Sequence, residues 1–178
     1  MVVFTEPLRV VPLGYTTRTG ARITLTIGDR PGSTKQEYSI SRDVDEYLTS
    51  IDIRALYRDL SEADRDLLAA LHDSNIVAVC PISHGLTVVP FTRRPLSLAE
   101  HLGADCIVRF DDAGEKVIVS ETGGRILRLI DGDRTLQQLA DEVEHTSAPT
   151  AAVDVLAEAA SLAQTMRAVG ALTFEPAS

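Results

Sequence analysis

Apolar and polar residues alternate most sharply at 22–27, RITLTI. Ile23, Leu25 and Ile27 fall on one side of an extended chain, and Thr24 and Thr26 on the other. Upstream, LRVVPLGYTTR is rich in β-formers but is interrupted at Pro12 and Gly14, so residues 8–27 read as two strands. DRPGST (29–34) is a turn cluster and QEYSIS (36–41) a third strand. The spacing then lengthens to three and four. Leu48, Ile51, Ala55 and Leu56 predict a helix over 43–60. A second helix starts after Ser61, an N-cap with Asp64 three residues on, and runs to Asp73 with Leu67, Leu68 and Leu71 inward. Asn75 suits a left-handed helix cap, and IVAVCP reads as a strand ended by Pro81.

The second half repeats the vocabulary. CIVRF (106–110) and KVIVSE (116–121) predict strands joined by a loop containing Gly114. Ile126, Leu127 and Ile130 give a short helix that stops at Asp131-Gly132. Thr135 and Gln138 form a capping box for a helix over 135–144, whose inner face is Leu136, Leu139, Ala140 and Val143. After SAPT (147–150), a longer helix is expected over 151–168. Val155, Leu156, Ala159, Leu162, Ala163 and Met166 lie on one arc, and Asp154, Glu158, Ser161 and Thr165 on the opposite one. Gly170 closes that helix, and ALTFEP is a last strand.

These elements define an α+β chain. LAALHDSNIVAVCP (68–81) and AQTMRAVGALTFEP (163–176) share an order of helix end, turn residue, apolar strand and proline, which suggests two copies of one small fold. Pro81, Pro90 and Pro95, together with Arg93-Arg94, mark a change of character. The expected organisation is an N-terminal domain over 1–81, a linker over 82–103 and a second domain over 104–178. Each domain is a small antiparallel sheet with about three helices.

Charge separates the halves. Residues 1–98 carry 11 basic and 12 acidic residues, whereas 99–178 carry 6 basic and 14 acidic, a net −8 out of −9 for the chain. Such a surface repels phosphate backbones. With no Trp, four Tyr and four Phe, stacking platforms for bases are also scarce. MVVFTEPLRVV lacks the basic and apolar regions of a signal peptide, and no stretch approaches a membrane span. Two cysteines without a C-x-x-C spacing point to reduced thiols and a cytoplasmic location.

Candidate chemistry is thin. His72, His84, His101 and His145 show no i,i+4 partner for a metal. Cys80 and Cys106 lie in apolar strands, where thiols are inert. The acidic runs DRDL and DGDR lack calcium-loop spacing, and Gly123-Gly124 belongs to no phosphate-loop motif. We therefore expect no catalytic residue, no metal and no cofactor.

Strands, two short capped helices, a longer helix and a terminal strand describe a winged helix-turn-helix, which makes DNA the first ligand to consider. The helix at 135–144 carries Asp141, Glu142 and Glu144 and no Lys or Arg, which is poor equipment for a recognition helix.

The segment VIVSETGGRILRLIDGDRTLQQLADEVE, with VDVLAEAASLAQTMRAVGALTF after it, resembles the small winged-helix domain of the pyrroloquinoline-quinone biosynthesis protein D family. That domain recurs as the recognition element for precursor peptides in pathways to ribosomally made, post-translationally modified peptides. The resemblance covers about 75 residues, roughly 104–176. It rests on a strand before the helix pair, the L…DG-x-x-T-x-x-x-L run at 129–139, and the late L…G-A-L ending. CIVRFDDAGEKVIVSE is also similar to the region ahead of the flavin domain in azoline oxidases of thiazole/oxazole peptide pathways, where two peptide-clamp units stand in tandem. The present sequence ends at Ser178 without a flavin domain.

The resemblance implies a tandem winged-helix protein that binds a leader peptide and delivers it to a separate modifying enzyme, a flavin-dependent one among the candidates, with no nucleic acid or membrane involved. The peptide would add as a strand beside Lys116, Val117, Ile118, Val119, Ser120 and Glu121. It would rest against a shallow trough on the last long helix, formed by Ala152, Val155, Leu156, Ala159, Ala163 and Met166. The competing reading of those helix residues is ordinary core. The competing functions are a winged-helix transcriptional regulator and an accessory subunit of a split azoline oxidase.

Overall fold

Proline and a left-handed glycine divide the first β-rich segment. In a computed structural model, which describes residues 6–29, 33–58, 60–146 and 154–177 (backbone alone over 99–102), β1 (Leu8–Pro12) ends at the proline. Gly14 then turns with φ 65°, and β2 (Tyr15–Thr19) and β3 (Arg22–Ile27) follow. The two strands expected over 8–27 are therefore three, and they enter different sheets. β1 pairs antiparallel with β5 (Val77–Pro81), while β2, β3 and β4 (Gln36–Ile40) form a three-stranded antiparallel sheet in that order. Ile23, Leu25 and Ile27 are buried, as their alternation predicts.

Between them lie α1 (Arg42–Ser50) and α2 (Glu62–Asp73). The helix expected to reach residue 60 stops ten residues early. Ile51 leaves helical geometry with ψ 122°. The Asp52 carboxylate then captures the Arg54 backbone N–H and its guanidinium at 2.9 Å, a local turn that competes with the helix. Ser61 caps α2 through the Asp64 N–H at 3.2 Å. Asn75, with φ 55°, ends it.

The chain divides into two compact units, Met1–Val88 with Phe174–Ser178, and Val89–Thr173. The stretch taken as a linker over 82–103 is instead structured. It contains β6 (Val88–Thr92) and β7 (Leu96–Leu102). Its prolines suggest breakers, but a strand with one unpaired side tolerates Pro90, and among the described residues β6 pairs only with β10 (Leu172–Pro176).

In the second unit, β7, β8 (Asp105–Phe110) and β9 (Lys116–Ser120) form an antiparallel sheet in that order. They are followed by α3 (Glu121–Leu129), α4 (Leu136–Thr146) and α5 (Val155–Ala168). Cys106, Val108, Phe110, Ile126, Leu127, Leu136, Leu139, Val143, Leu162 and Met166 supply its core. The capping box is formed as expected: Thr135 Oγ1 accepts from Gln138 N at 3.2 Å, and Gln138 Oε1 accepts from Thr135 N at 2.8 Å.

The fold is α+β, built from small antiparallel sheets. The first unit has two helices among the described residues rather than about three. The likeness seen between 68–81 and 163–176 has a counterpart in geometry. Asn75 N donates to His72 O and Ile76 N to Leu71 O. Gly170 N donates to Arg167 O and Ala171 N to Met166 O. Both are Schellman closures, and each leads into a five-residue strand ending in proline. Among the described residues, no helix is long and apolar enough to cross a membrane.

Candidate functional site

β9 forms because Val117 and Val119 alternate with Lys116 and Ile118, and it is the outer strand of its sheet. The phase of its backbone follows from the bonds at the two ends of the ladder, Glu121 N to Ala104 O at 2.8 Å and Phe110 N to Glu115 O at 2.9 Å. Bonded pairs alternate with unbonded ones along an antiparallel ladder. Val117 and Val119 therefore bond β8, whereas Lys116 and Ile118 turn their N–H and C=O outward, and Ser120 its N–H. No strand among the described residues takes up that outer side. Ile118 is 62% exposed, the largest exposure of any bulky apolar residue described. An open edge with an exposed isoleucine is a template for another strand.

Beside this edge runs a trough of about 110 Å³ between β9 and α5. It is lined by Ile118, Val119, Ser120, Gly123, Glu158, Ser161, Leu162 and Thr165. Ser120 organises one end. As N-cap of α3, its hydroxyl oxygen accepts from Gly123 N at 3.0 Å, and it donates its proton to Glu158 Oε2 at 2.5 Å. Gly123 keeps the floor low. A Cβ there would lie 3.2 Å from Ser120 Oγ and 3.7 Å from Leu162 Cβ.

The expected site residues separate into two groups. Lys116, Val117, Ile118, Val119 and Ser120 form the edge strand, with Val119 buried under it. Glu121 does not belong to that strand. It is the first residue of α3, because Ser120 caps the helix directly and leaves no connecting loop. On α5, Val155 and Leu156 are half-buried. Ala159, Ala163 and Met166 have 0% exposure and cannot line a trough. Ala152 lies outside the described residues.

The correction has a simple cause. The small-residue arc lets α3 and α4 approach α5 closely, so it is spent on helix packing. The trough wall is the arc read as solvated, Glu158, Ser161 and Thr165, with Leu162 at its border. Short hydroxyls at Ser161 and Thr165, four residues apart on one helical line, were the available signal.

Other groups offer little chemistry. Among the described residues, no set of three His, Cys, Asp or Glu could hold a metal ion. Cys80 and Cys106 are buried and form no disulfide. Burial pushes the Cys80 thiol above its ordinary value, which makes the thiolate scarce. Ser83 donates to Glu6 Oε1 at 2.8 Å and lies 3.1 Å from His84 Nδ1. This puts serine between acid and imidazole, whereas a nucleophilic triad needs the imidazole in the middle.

No protein-family model and no curated protein shows a significant match to the chain.

Proposed function

We propose that this chain is a non-catalytic peptide-binding module that recognises the leader segment of a ribosomally made precursor peptide and presents it to a modifying enzyme. The observation that carries the reading is the outward-facing backbone of β9 alongside the β9–α5 trough. A three-stranded sheet followed by three helices accords with a winged helix-turn-helix, and a related unit in 1–88 would make the chain a tandem. An extended leader would pair with Lys116, Ile118 and Ser120 as a fourth strand, so that main-chain bonds supply affinity and alternate side chains supply selectivity.

Charge favours a peptide over nucleic acid. The surface of α4 away from the core presents Gln137, Gln138, Asp141, Glu142 and Glu144, with no cation for phosphate. The two buried cysteines, neither in a disulfide, accord with a reducing cytoplasm. A partner enzyme on a separate chain, flavin-dependent if the likeness to azoline oxidases extends that far, would carry the chemistry.

The test is a titration of the full chain with fluorescently labelled leader peptides encoded beside its gene. Saturable binding that Ile118→Pro removes supports the reading. No binding by about 1 mM, where the free energy is only about −4 kcal/mol, rejects it.

A further inference from the structure

The trough has a size and a charge, and together they select an occupant. Its volume of about 110 Å³ is smaller than the roughly 150 Å³ cavity that accommodates benzene, so it takes one side chain. In an added strand, successive side chains point to opposite faces and directly opposed residues share a face, so the one residue opposite Val119, between those opposite Ile118 and Ser120, would point inward and enter it.

At the Ser120 end the wall is the Glu158 carboxylate. A carboxylate has about four acceptor positions, and the Ser120 hydroxyl uses one of them. Among the described residues, Glu158 has no ion-pair partner. At the other end Leu162 and Val119 offer apolar surface to an aliphatic stem, while Ser161 and Thr165 add hydroxyls. A long side chain with a methylene stem and a cationic head satisfies both ends.

We infer that the trough is a single-residue anchor site for a lysine or arginine of the bound peptide, its head on Glu158 and its stem along Leu162 and Val119. This rests on the reading of β9 as a peptide-docking edge. It adds that the recognised peptide carries one basic residue at a fixed place among residues that extend as a strand. The acidic N-terminal end of α5, with Asp154 exposed as its N-cap, favours the same sign of ligand.

The test pans a phage-displayed random dodecapeptide library over the full chain as wild type, Glu158→Gln, Glu158→Lys and Ile118→Pro, each first confirmed as folded by its circular-dichroism melt. Glu158→Gln keeps an acceptor for Ser120 and removes only the charge. Wild-type pools should converge on Lys or Arg at one position, and the Glu158→Lys pool should carry Asp or Glu there. In synthetic peptides from the wild-type pool, replacing the basic residue by norleucine should weaken binding about tenfold or more on wild type and little on Glu158→Gln.

Peptides that need Ile118 but show no basic preference, or the same preference on Glu158→Lys, overturn the anchor and leave the docking edge standing. Peptides that enrich equally on Ile118→Pro, or no enrichment on wild type, overturn the docking edge and the anchor with it.

Discussion

Asp131 shows how much of this chain's residue-scale chemistry is structural. Its carboxylate accepts from the backbone N–H of Asp133 at 3.0 Å and of Arg134 at 3.1 Å, and it pairs with the Arg134 guanidinium. Arg134 also bonds Leu129 O and Glu142. The Asp133 N–H is the main cause that lowers the Asp131 pKa from 3.8 to about 2. Because the folded value lies below the unfolded one, the unfolded chain takes up this proton first as pH falls. The contribution is complete above about pH 4 and lost as pH drops through about 2. Asp131→Asn should remove that part of the acid dependence in urea-unfolding curves recorded across this range. Asp131→Ala should cost on the order of 1 kcal/mol at neutral pH, since hydrogen bonds are lost at a half-exposed turn.

Met166 tests the reassignment of α5 at the same scale. As core it should lose about 2–5 kcal/mol on Met166→Ala, while Met166→Leu stays within about 1.5 kcal/mol and leaves peptide affinity unchanged. A Met166→Leu variant of full stability that loses peptide binding would return Met166 to the site.

At the scale of elements, the glycine pair explains how α3 docks on β8. A Cβ at Gly124 would lie 2.8 Å from Cys106 Sγ and 3.1 Å from Cys106 Cβ, closer than packed atoms allow. Gly124→Ala should destabilise by about 1–3 kcal/mol through overpacking, and Cys106→Ala in the same chain should recover part of the loss. A double-mutant cycle measures that coupling, and strict additivity would contradict the contact.

The edge strand yields a paired prediction. Ile118→Pro removes an N–H that points away from β8 and should fold with a near-native melting temperature. Val119→Pro removes a ladder bond and should lower it sharply. Equal melting temperatures would show that the ladder phase is wrong.

The same elements show where sequence was a sufficient guide. Helices announced themselves wherever a cap coincided with a 3.6-residue apolar period. The Thr135–Gln138 box and the inner face Leu136, Leu139, Ala140 and Val143 are as expected. β6 was illegible because Pro90 mimics a linker and its partner β10 is distant in sequence, and β7 because Pro95 stands just before it and a register shift between Leu98 and Glu100 interrupts its alternation. The side of α5 that meets β9 was illegible for another reason. Helical periodicity identifies a buried arc, but not which border of that arc a strand leaves half open.

Across the whole molecule, charge is the property that bears on partners. The 6 basic and 14 acidic residues of 99–178 set a negative field, which under the proposed function would favour a cationic peptide over nucleic acid. Raising salt from about 0.05 to 0.5 M shortens the screening length several-fold and should weaken capture of a basic peptide, mainly by slowing association. Affinity that is indifferent to salt would argue that apolar contacts at Ile118 and Leu162 dominate.

The most direct measurement is residue-resolved amide hydrogen exchange of the full chain, with and without a bound leader peptide. Strand addition predicts new protection at the outward amides of Lys116, Ile118 and Ser120, while Val117 and Val119, already bonded to β8, change little. Protection gained on α4 or elsewhere, with those three amides still exchanging freely when peptide is bound, would contradict the account.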